Sequence, residues 1–172
     1  MDTDKKRTAR RRVDSPLGPV EIAATESGLS RLRFLDAATD EAPIASPPLD
    51  DEPSVKLVEH LDRTERELDA YFAGTLRSFT VPLAPEGTPF QSAVWRALGA
   101  VPFGGVTVYG EIARTIGKPR GSQAVGLANG RNPIAIIIPC HRVVGKNGKL
   151  TGYAGGIERK KWLLRHESST LL

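Results

Sequence analysis

The only cysteine in 172 residues stands in the tetrapeptide Pro139-Cys140-His141-Arg142. Sulfur attacks carbon as a thiolate, and a free cysteine with a pKa near ~8.5 is only slightly ionised at neutral pH. The histidine and arginine that follow can both favour the anion. Sulfur as nucleophile, a histidine as base and a carboxylate to orient the base form a known catalytic arrangement. Glu111, Glu158 and Glu167 are the candidate orienters in this half of the chain. Adjacent side chains on a regular strand point apart. His141 therefore helps only if the chain turns at Pro139, into a short helical turn whose amino end also favours a thiolate. The opposing reading is that a lone cysteine beside a buried strand is an inert, small apolar residue, and these residues alone leave it open.

One cysteine excludes an internal disulfide and any zinc site of several thiolates, and it suits a reducing cytosol. The other histidines, His60 and His166, are far apart in sequence, so no metal is expected. No apolar run approaches membrane-spanning length. Residues 1–12 are charged and lack the apolar core of a secretory signal. They read as a disordered basic arm that either touches phosphates or only aids solubility.

The formal net charge of +4 is unevenly spread, at +4 over residues 1–12, −8 over 13–85 and +8 over 86–172. An acidic half followed by a basic half fits a two-part protein whose carboxyl half faces a polyanion.

The thiol follows Ile134-Ala135-Ile136-Ile137-Ile138, which reads as a buried strand ended by Pro139. Such a strand delivers its last residues to the edge of a core. Upstream, the turn residues and alternation of Val13–Leu35 predict a β-hairpin. Asp36–Pro53 reads as a loop, and the spacing of apolar residues predicts a helix over Val55–Phe72 stopped by Gly74. Thr80-Val81-Pro82-Leu83 reads as a short strand, and Ala84-Pro85-Glu86-Gly87 as a linker. Thr88, Pro89 and Gln91 announce a helix with a capping box that buries Phe90, Val94, Trp95 and Leu98. A last helix is predicted over roughly Ile157–His166, with Ile157, Leu163 and Leu164 apolar and Arg159, Lys160 and Lys161 exposed.

Between these lie Tyr109–Ile116 and Gln123–Asn129, two short helices joined by a turn at Gly117-Lys118-Pro119, which suggests a helix-turn-helix. The second carries Ala124, Gly126 and Ala128, a slim face suited equally to approaching a surface or to tight helix packing.

Pro139-Cys140-His141-Arg142-Val143 with Asn132-Pro133 before it and Gly152-Tyr153-Ala154-Gly155-Gly156 after it resembles the O6-alkylguanine-DNA alkyltransferases. The resemblance continues through Phe90-Gln91, Val94-Trp95, Pro102-Phe103-Gly104, Tyr109-Gly110-Glu111-Ile112-Ala113, Ala124-Val125-Gly126 and Trp162-Leu163-Leu164, so it covers residues 86–167 in one register. The amino half shares less, in Asp14-Ser15-Pro16-Leu17-Gly18 and Tyr71-Phe72-Ala73-Gly74.

The resemblance implies a mixed α/β protein. Residues 13–84 would form a ribonuclease H-like domain with a small antiparallel sheet. Residues 85–172 would form a mostly helical, winged-helix-like domain with the helix-turn-helix and the thiol. It implies direct-reversal DNA repair, in which a damaged guanine is flipped out of the duplex and Cys140 takes its alkyl group once and for good. Cys140 would be the acceptor, His141 its base through a water, and Glu167 the orienter. Asn132 would support the loop, and Tyr109 would donate to the guanine or supply a leaving-group proton, and crowd its phosphate. Main-chain groups of Cys140 and Val143 would accept from the exocyclic amine. Tyr153, Ala154, Gly155 and Gly156 would shape the wall, whose small residues suggest room for groups larger than methyl. Ala124, Gly126, Ala128 and Arg131 would meet the minor groove. Where many members carry an arginine that fills the gap left by the flipped base, this sequence has Gln123, with Arg120 just ahead as a substitute cation.

The expected partner is double-stranded DNA carrying O6-alkylguanine, bound without cofactor or membrane by a cytoplasmic monomer, with cooperative binding along DNA left open. The alternatives are a damage sensor without transfer chemistry and a thiol hydrolase that turns over.

Overall fold

The computed structural model describes residues 7–36 and 54–170 and divides the chain into two compact units, 1–85 and 86–172. The loop expected over Asp36–Pro53 lies almost wholly outside the described residues.

In the first unit, strands β1 (Ala9–Val13), β2 (Val20–Thr25) and β3 (Gly28–Phe34) form an antiparallel sheet in the order β1-β2-β3. The predicted hairpin is β2-β3. The basic arm is corrected at its carboxyl end, because residues 9–12 belong to β1. The run of arginines hides a period of two: Ala9, Arg11 and Val13 pair with Ala24, Ile22 and Val20, while Arg10 and Arg12 turn to solvent. Arg11 also reaches Asp62 and Glu65 at 2.9 and 2.7 Å.

Helix α1 (Val55–Phe72) buries Leu57, Leu61, Thr64, Leu68 and Tyr71 against this sheet. Spacings of three and four residues put them on one stripe, and each buried leucine adds about 2 kcal/mol. Gly74, at φ +80°, takes the left-handed conformation that ends the helix. The strand expected at Thr80–Leu83 makes only a single bridge, Leu29 to Leu83. Pro82 cannot donate to a ladder, and Glu67 of α1 takes the Thr80 and Val81 amides at 3.0 and 3.3 Å.

The second unit opens with α2 (Pro89–Gly99), whose capping box is complete: Thr88 Oγ1 accepts from the Gln91 amide and Gln91 Oε1 from the Thr88 amide. Its buried face holds Val94, Trp95 and Leu98. Strand β4 (Thr107–Val108) runs straight into α3 (Tyr109–Thr115), and α4 (Ser122–Gly130) completes the helix-turn-helix. Trp95 Nε1 donates to the Ala128 carbonyl at 3.0 Å, pinning α4 to α2.

The chain then departs from expectation. Ile134–Ile138 is one bridge residue, Ile134, followed by turns, not a strand, although Ile134, Ile136 and Ile138 are buried as predicted. The cause is Asn132. Its Oδ1 accepts from the Ile134 amide at 3.0 Å, and its Nδ2 donates to the carbonyls of Ile134 at 3.3 Å and Ile138 at 2.7 Å. The carboxamide takes backbone groups that a neighbouring strand would need. Ile136 sits at φ +70°, a conformation costly for a β-branched residue. The turns deliver the chain to a 3₁₀ turn, Cys140–Arg142, then to β5 (Val143–Val144) and finally to α5 (Ile157–Thr170). No described helix is long and apolar enough to cross a membrane.

Candidate active site

Two local devices bring the site together. Pro139 and the 3₁₀ turn break the strand-like alternation, so Cys140, His141 and Arg142 are all buried side by side. Next, β5 pairs in parallel with β4, Thr107 to Val143 and Val108 to Val144. The residue following β4 is Tyr109, so this short ladder holds the start of α3 beside the chain that leaves the thiol.

Cys140 is buried and unpaired in any disulfide. Burial pushes its thiol pKa up, while the nearby Asn132 side chain and Lys160 charge pull it down. Asn129 Nδ2 lies 3.4 Å from the Cys140 carbonyl, so two asparagines brace the turn.

His141 Nε2 is 2.7 Å from Glu167 Oε1, with both residues fully enclosed. Glu167 is also gripped by Arg142, Nε to Oε2 at 2.9 Å and Nη2 to Oε1 at 3.0 Å. Burial alone would raise the Glu167 carboxyl. The hydrogen bonds from His141 and Arg142 outweigh it and hold the pKa at about 2. An ionised Glu167 accepts a hydrogen bond from Nε2–H, which fixes the tautomer and leaves Nδ1 with a bare lone pair. Nδ1 is buried and has no hydrogen-bond partner among the described residues. Burial lowers the His141 pKa against the pull of Glu167, so the ring is held neutral. A neutral imidazole with an open Nδ1 is a proton acceptor beside a thiol.

Of the three candidate orienters, only Glu167 reaches the site. Glu111 pairs with Arg114 on the surface of α3, and Glu158 pairs with Lys161 at 3.1 Å on the surface of α5. Tyr109 Oη is 3.1 Å from Thr151 Oγ1. The Tyr153 hydroxyl is buried without a hydrogen-bond partner among the described residues, and burial pushes its pKa well above the ordinary range. Ala154 and Gly156 are exposed, and the Gly156 amide closes a turn on the Tyr153 carbonyl at 2.9 Å.

On α4 the exposed face carries Gln123, Ala124 and Leu127, with Arg131 at the helix end and Arg120 in the turn before it. Gly126 is half-buried against the Tyr109 ring, where an added Cβ would sit 3.8 Å from it. Ala128 must be withdrawn from the exposed face: it is buried with Val125 and Asn129, because its position faces α2. The sequence reading missed Leu127, 65% exposed at the centre of this face.

The larger correction is Lys160, expected at the surface and found fully buried. Its Nζ donates to the Val143 carbonyl at 2.6 Å and the Thr151 carbonyl at 2.9 Å. A signal existed. Lys160, Leu163 and Glu167 are spaced three and four apart, which places two charged residues on the buried stripe of α5. The sequence offers Arg142 as a cation able to favour the thiolate; the structure sets its guanidinium on Glu167. Among the described residues no group of three or more His, Cys, Asp or Glu could hold a metal ion.

Residues 10–85 match the ribonuclease-like domain of 6-O-methylguanine DNA methyltransferase, and residues 89–169 match its DNA binding domain. The chain is 51% identical over 157 residues to the methylated-DNA–protein-cysteine methyltransferase of Methanosarcina acetivorans, spanning 91% of this chain and 96% of that one. It is 48% identical to the protein of the same name from Mycobacterium tuberculosis, across 92% of each. The structure of a Mycobacterium tuberculosis OGT in complex with DNA superposes with a TM-score of 0.79 at 46% identity, covering 94% of this chain and 93% of that one. Matched along both units by one pair of domains, this chain belongs to the 6-O-methylguanine DNA methyltransferase family.

Proposed function

We propose that the protein repairs DNA by moving the alkyl group of O6-alkylguanine onto Cys140, in a single irreversible turnover. The observation that carries this reading is the enclosed His141–Glu167 pair, with the open ring nitrogen on the residue next to the sole thiol. His141 Nδ1 receives the thiol proton, with a water as relay. The sulfur attacks the alkyl carbon in line, forming the S–C bond as the C–O6 bond breaks, and the bonding pair leaves with the guanine. The Tyr109 hydroxyl supplies a proton to the departing base and is reprotonated from His141. The net change is thiol plus alkylguanine to thioether plus guanine. An alkyl carbon is a soft electrophile, which suits sulfur. The thioether has no route back to a thiol, so each chain acts once.

The partner is duplex DNA, as the superposable Mycobacterium tuberculosis complex supports. The exposed face of α4 is laid against the DNA, and its slimness at Ala124 lets the helix approach closely. Gln123 fills the space left by the flipped base, and Arg120 and Arg131 bind phosphates at the two ends of α4. Asn132 supports the loop around the sulfur. The Val143 carbonyl and the turn from Tyr153 through Ala154 and Gly155 to Gly156 line the base pocket. The protein works as a monomer in the cytoplasm, where its lone thiol stays reduced.

Incubation with duplex containing O6-methylguanine, followed by mass spectrometry, tests the reading. The expected result is one methylene equivalent added per chain, located on Cys140 and absent from Cys140→Ala. An unmodified thiol after excess lesion, or product released in repeated turnovers, rules it out.

A further inference from the structure

Lys160 plays no part in the steps above, yet it is enclosed completely. Its ammonium has three N–H groups, and two donate to the neutral carbonyls of Val143 and Thr151. Among the described residues it forms no ion pair with an aspartate or glutamate. A buried ammonium held only by carbonyl dipoles is costly, and such groups ordinarily carry a counter-charge. Arg142 makes the contrast within the same cluster, since its guanidinium is matched by Glu167.

The available anion is Cys140. Lys160 is anchored to Val143, which directly follows the 3₁₀ turn holding the thiol, and the charges of Lys160 and Cys140 favour one another in both directions. Resting on Cys140 as the nucleophile, we propose that Lys160 is the counter-cation of its thiolate, a positioning residue that raises the ionised fraction of the sulfur without touching the alkyl group. The same ammonium, with Arg142, disfavours protonation of His141 and so keeps the base ready. The other titratable groups around the turn are Glu167 on α5, which favours His141 protonation, and Tyr153, whose hydroxyl is buried. The one charged residue of α2, Arg96, is exposed.

The sole cysteine makes the test direct, because thiolate ultraviolet absorbance referenced to Cys140→Ala reports one group. No DNA is needed, so the result stands apart from the repair assay. Lys160→Met, of similar length and uncharged, should move the thiolate midpoint up by about one unit, a roughly tenfold loss of thiolate near neutral pH. Lys160→Arg should recover most of that loss. A folded Lys160→Met with an unshifted midpoint overturns the proposal. If neither variant folds, the wild-type chain answers. The Lys160 ammonium, followed by nitrogen NMR, should lose its proton at lower pH after Cys140 is S-alkylated with iodoacetamide. An unchanged Lys160 titration overturns the proposal equally. A wild-type protein that shows this coupling but leaves O6-methylguanine untouched would keep the ion pair and sink the repair reading.

Discussion

Glu167 Oε1 accepts from His141 Nε2 at 2.7 Å while Arg142 closes on both oxygens of the same carboxylate. A carboxylate so engaged has little capacity left to take the histidine proton, so it orients the ring and leaves the proposed base function to Nδ1. Glu167→Gln preserves shape but removes the charge that Arg142 and the ring share. Breaking a buried pair by removing one partner costs about 3 kcal/mol or more. The expected outcome is a clear drop in thermal stability with methyl transfer slowed by at least tenfold, read from single-turnover kinetics. Wild-type rates in a folded Glu167→Gln would remove Glu167 from the chemistry.

The same cluster fixes how stability depends on pH. Burial lowers the folded-state pKa of His141 from 6.5, so below that pH the unfolded chain binds a proton that the folded one refuses. Stability therefore falls as pH drops through 6.5. Glu167 is depressed from 4.5 to about 2, so its contribution is complete above 4.5 and disappears between 4.5 and 2. That contribution amounts to about 3 kcal/mol. Urea titrations at a series of pH values should show a loss beginning below 6.5 and a second below 4.5. Both tryptophans, Trp95 and Trp162, lie in the second unit and report on it by fluorescence. Stability that stays flat down to pH 4.5 would contradict a neutral, enclosed His141.

Arg142 divides its guanidinium between Glu167 and the Val101 carbonyl, the latter at 2.7 Å, and lies over the Phe103 ring at 5.8 Å. A lysine cannot span two carboxylate oxygens and a carbonyl at once. Arg142→Lys should lose about 2 kcal/mol of stability with His141 still functional. Arg142→Met removes a cation that disfavours His141 protonation, so the acid limb of the transfer-rate profile should move to higher pH. An acid limb that stays in place would mean that Arg142 only supports the fold.

Much of this was legible beforehand, and the misses share a cause. The capping box of Thr88 and Gln91 and the stripe from Leu57 to Tyr71 are local patterns, and both helices stand where they were expected. Ile134–Ile138 misled because a continuous apolar run says "buried" without saying "extended"; one carboxamide, Asn132, decided the geometry. Lys160 misled because charge outranked spacing, although its register with Leu163 and Glu167 marked it as interior. In β1 the arginines masked an alternation that only pairing with β2 reveals.

Tyr109 Oη meets Thr151 Oγ1 at 3.1 Å, and the Thr151 carbonyl meets Lys160 Nζ at 2.9 Å. One residue thus ties the proposed proton donor to the buried cation. Thr151→Val removes only the hydroxyl and keeps the carbonyl. The pair is exposed, so stability should change by less than about 0.5 kcal/mol, while single-turnover transfer slows several-fold as Tyr109 loses its partner. Tyr109→Phe should slow transfer further still. Equal rates in all three proteins would place the proton donor elsewhere.

Gln123 stands on the exposed face of α4 between the side chains of Arg120 and Leu127 in sequence, and it brings hydrogen-bonding capacity without charge. If it enters the duplex where the lesion has rotated out, a cation at this position adds attraction for the phosphates. Each phosphate neutralised steepens the salt dependence of binding by about one in log–log slope. Gln123→Arg should tighten duplex binding at low salt and increase that slope by about one, measured by fluorescence anisotropy across a salt series. Gln123→Gly should weaken binding to lesion-bearing duplex more than to undamaged duplex, since only the former has a gap to fill. Equal weakening on both would show that Gln123 contacts the backbone and not the vacated space.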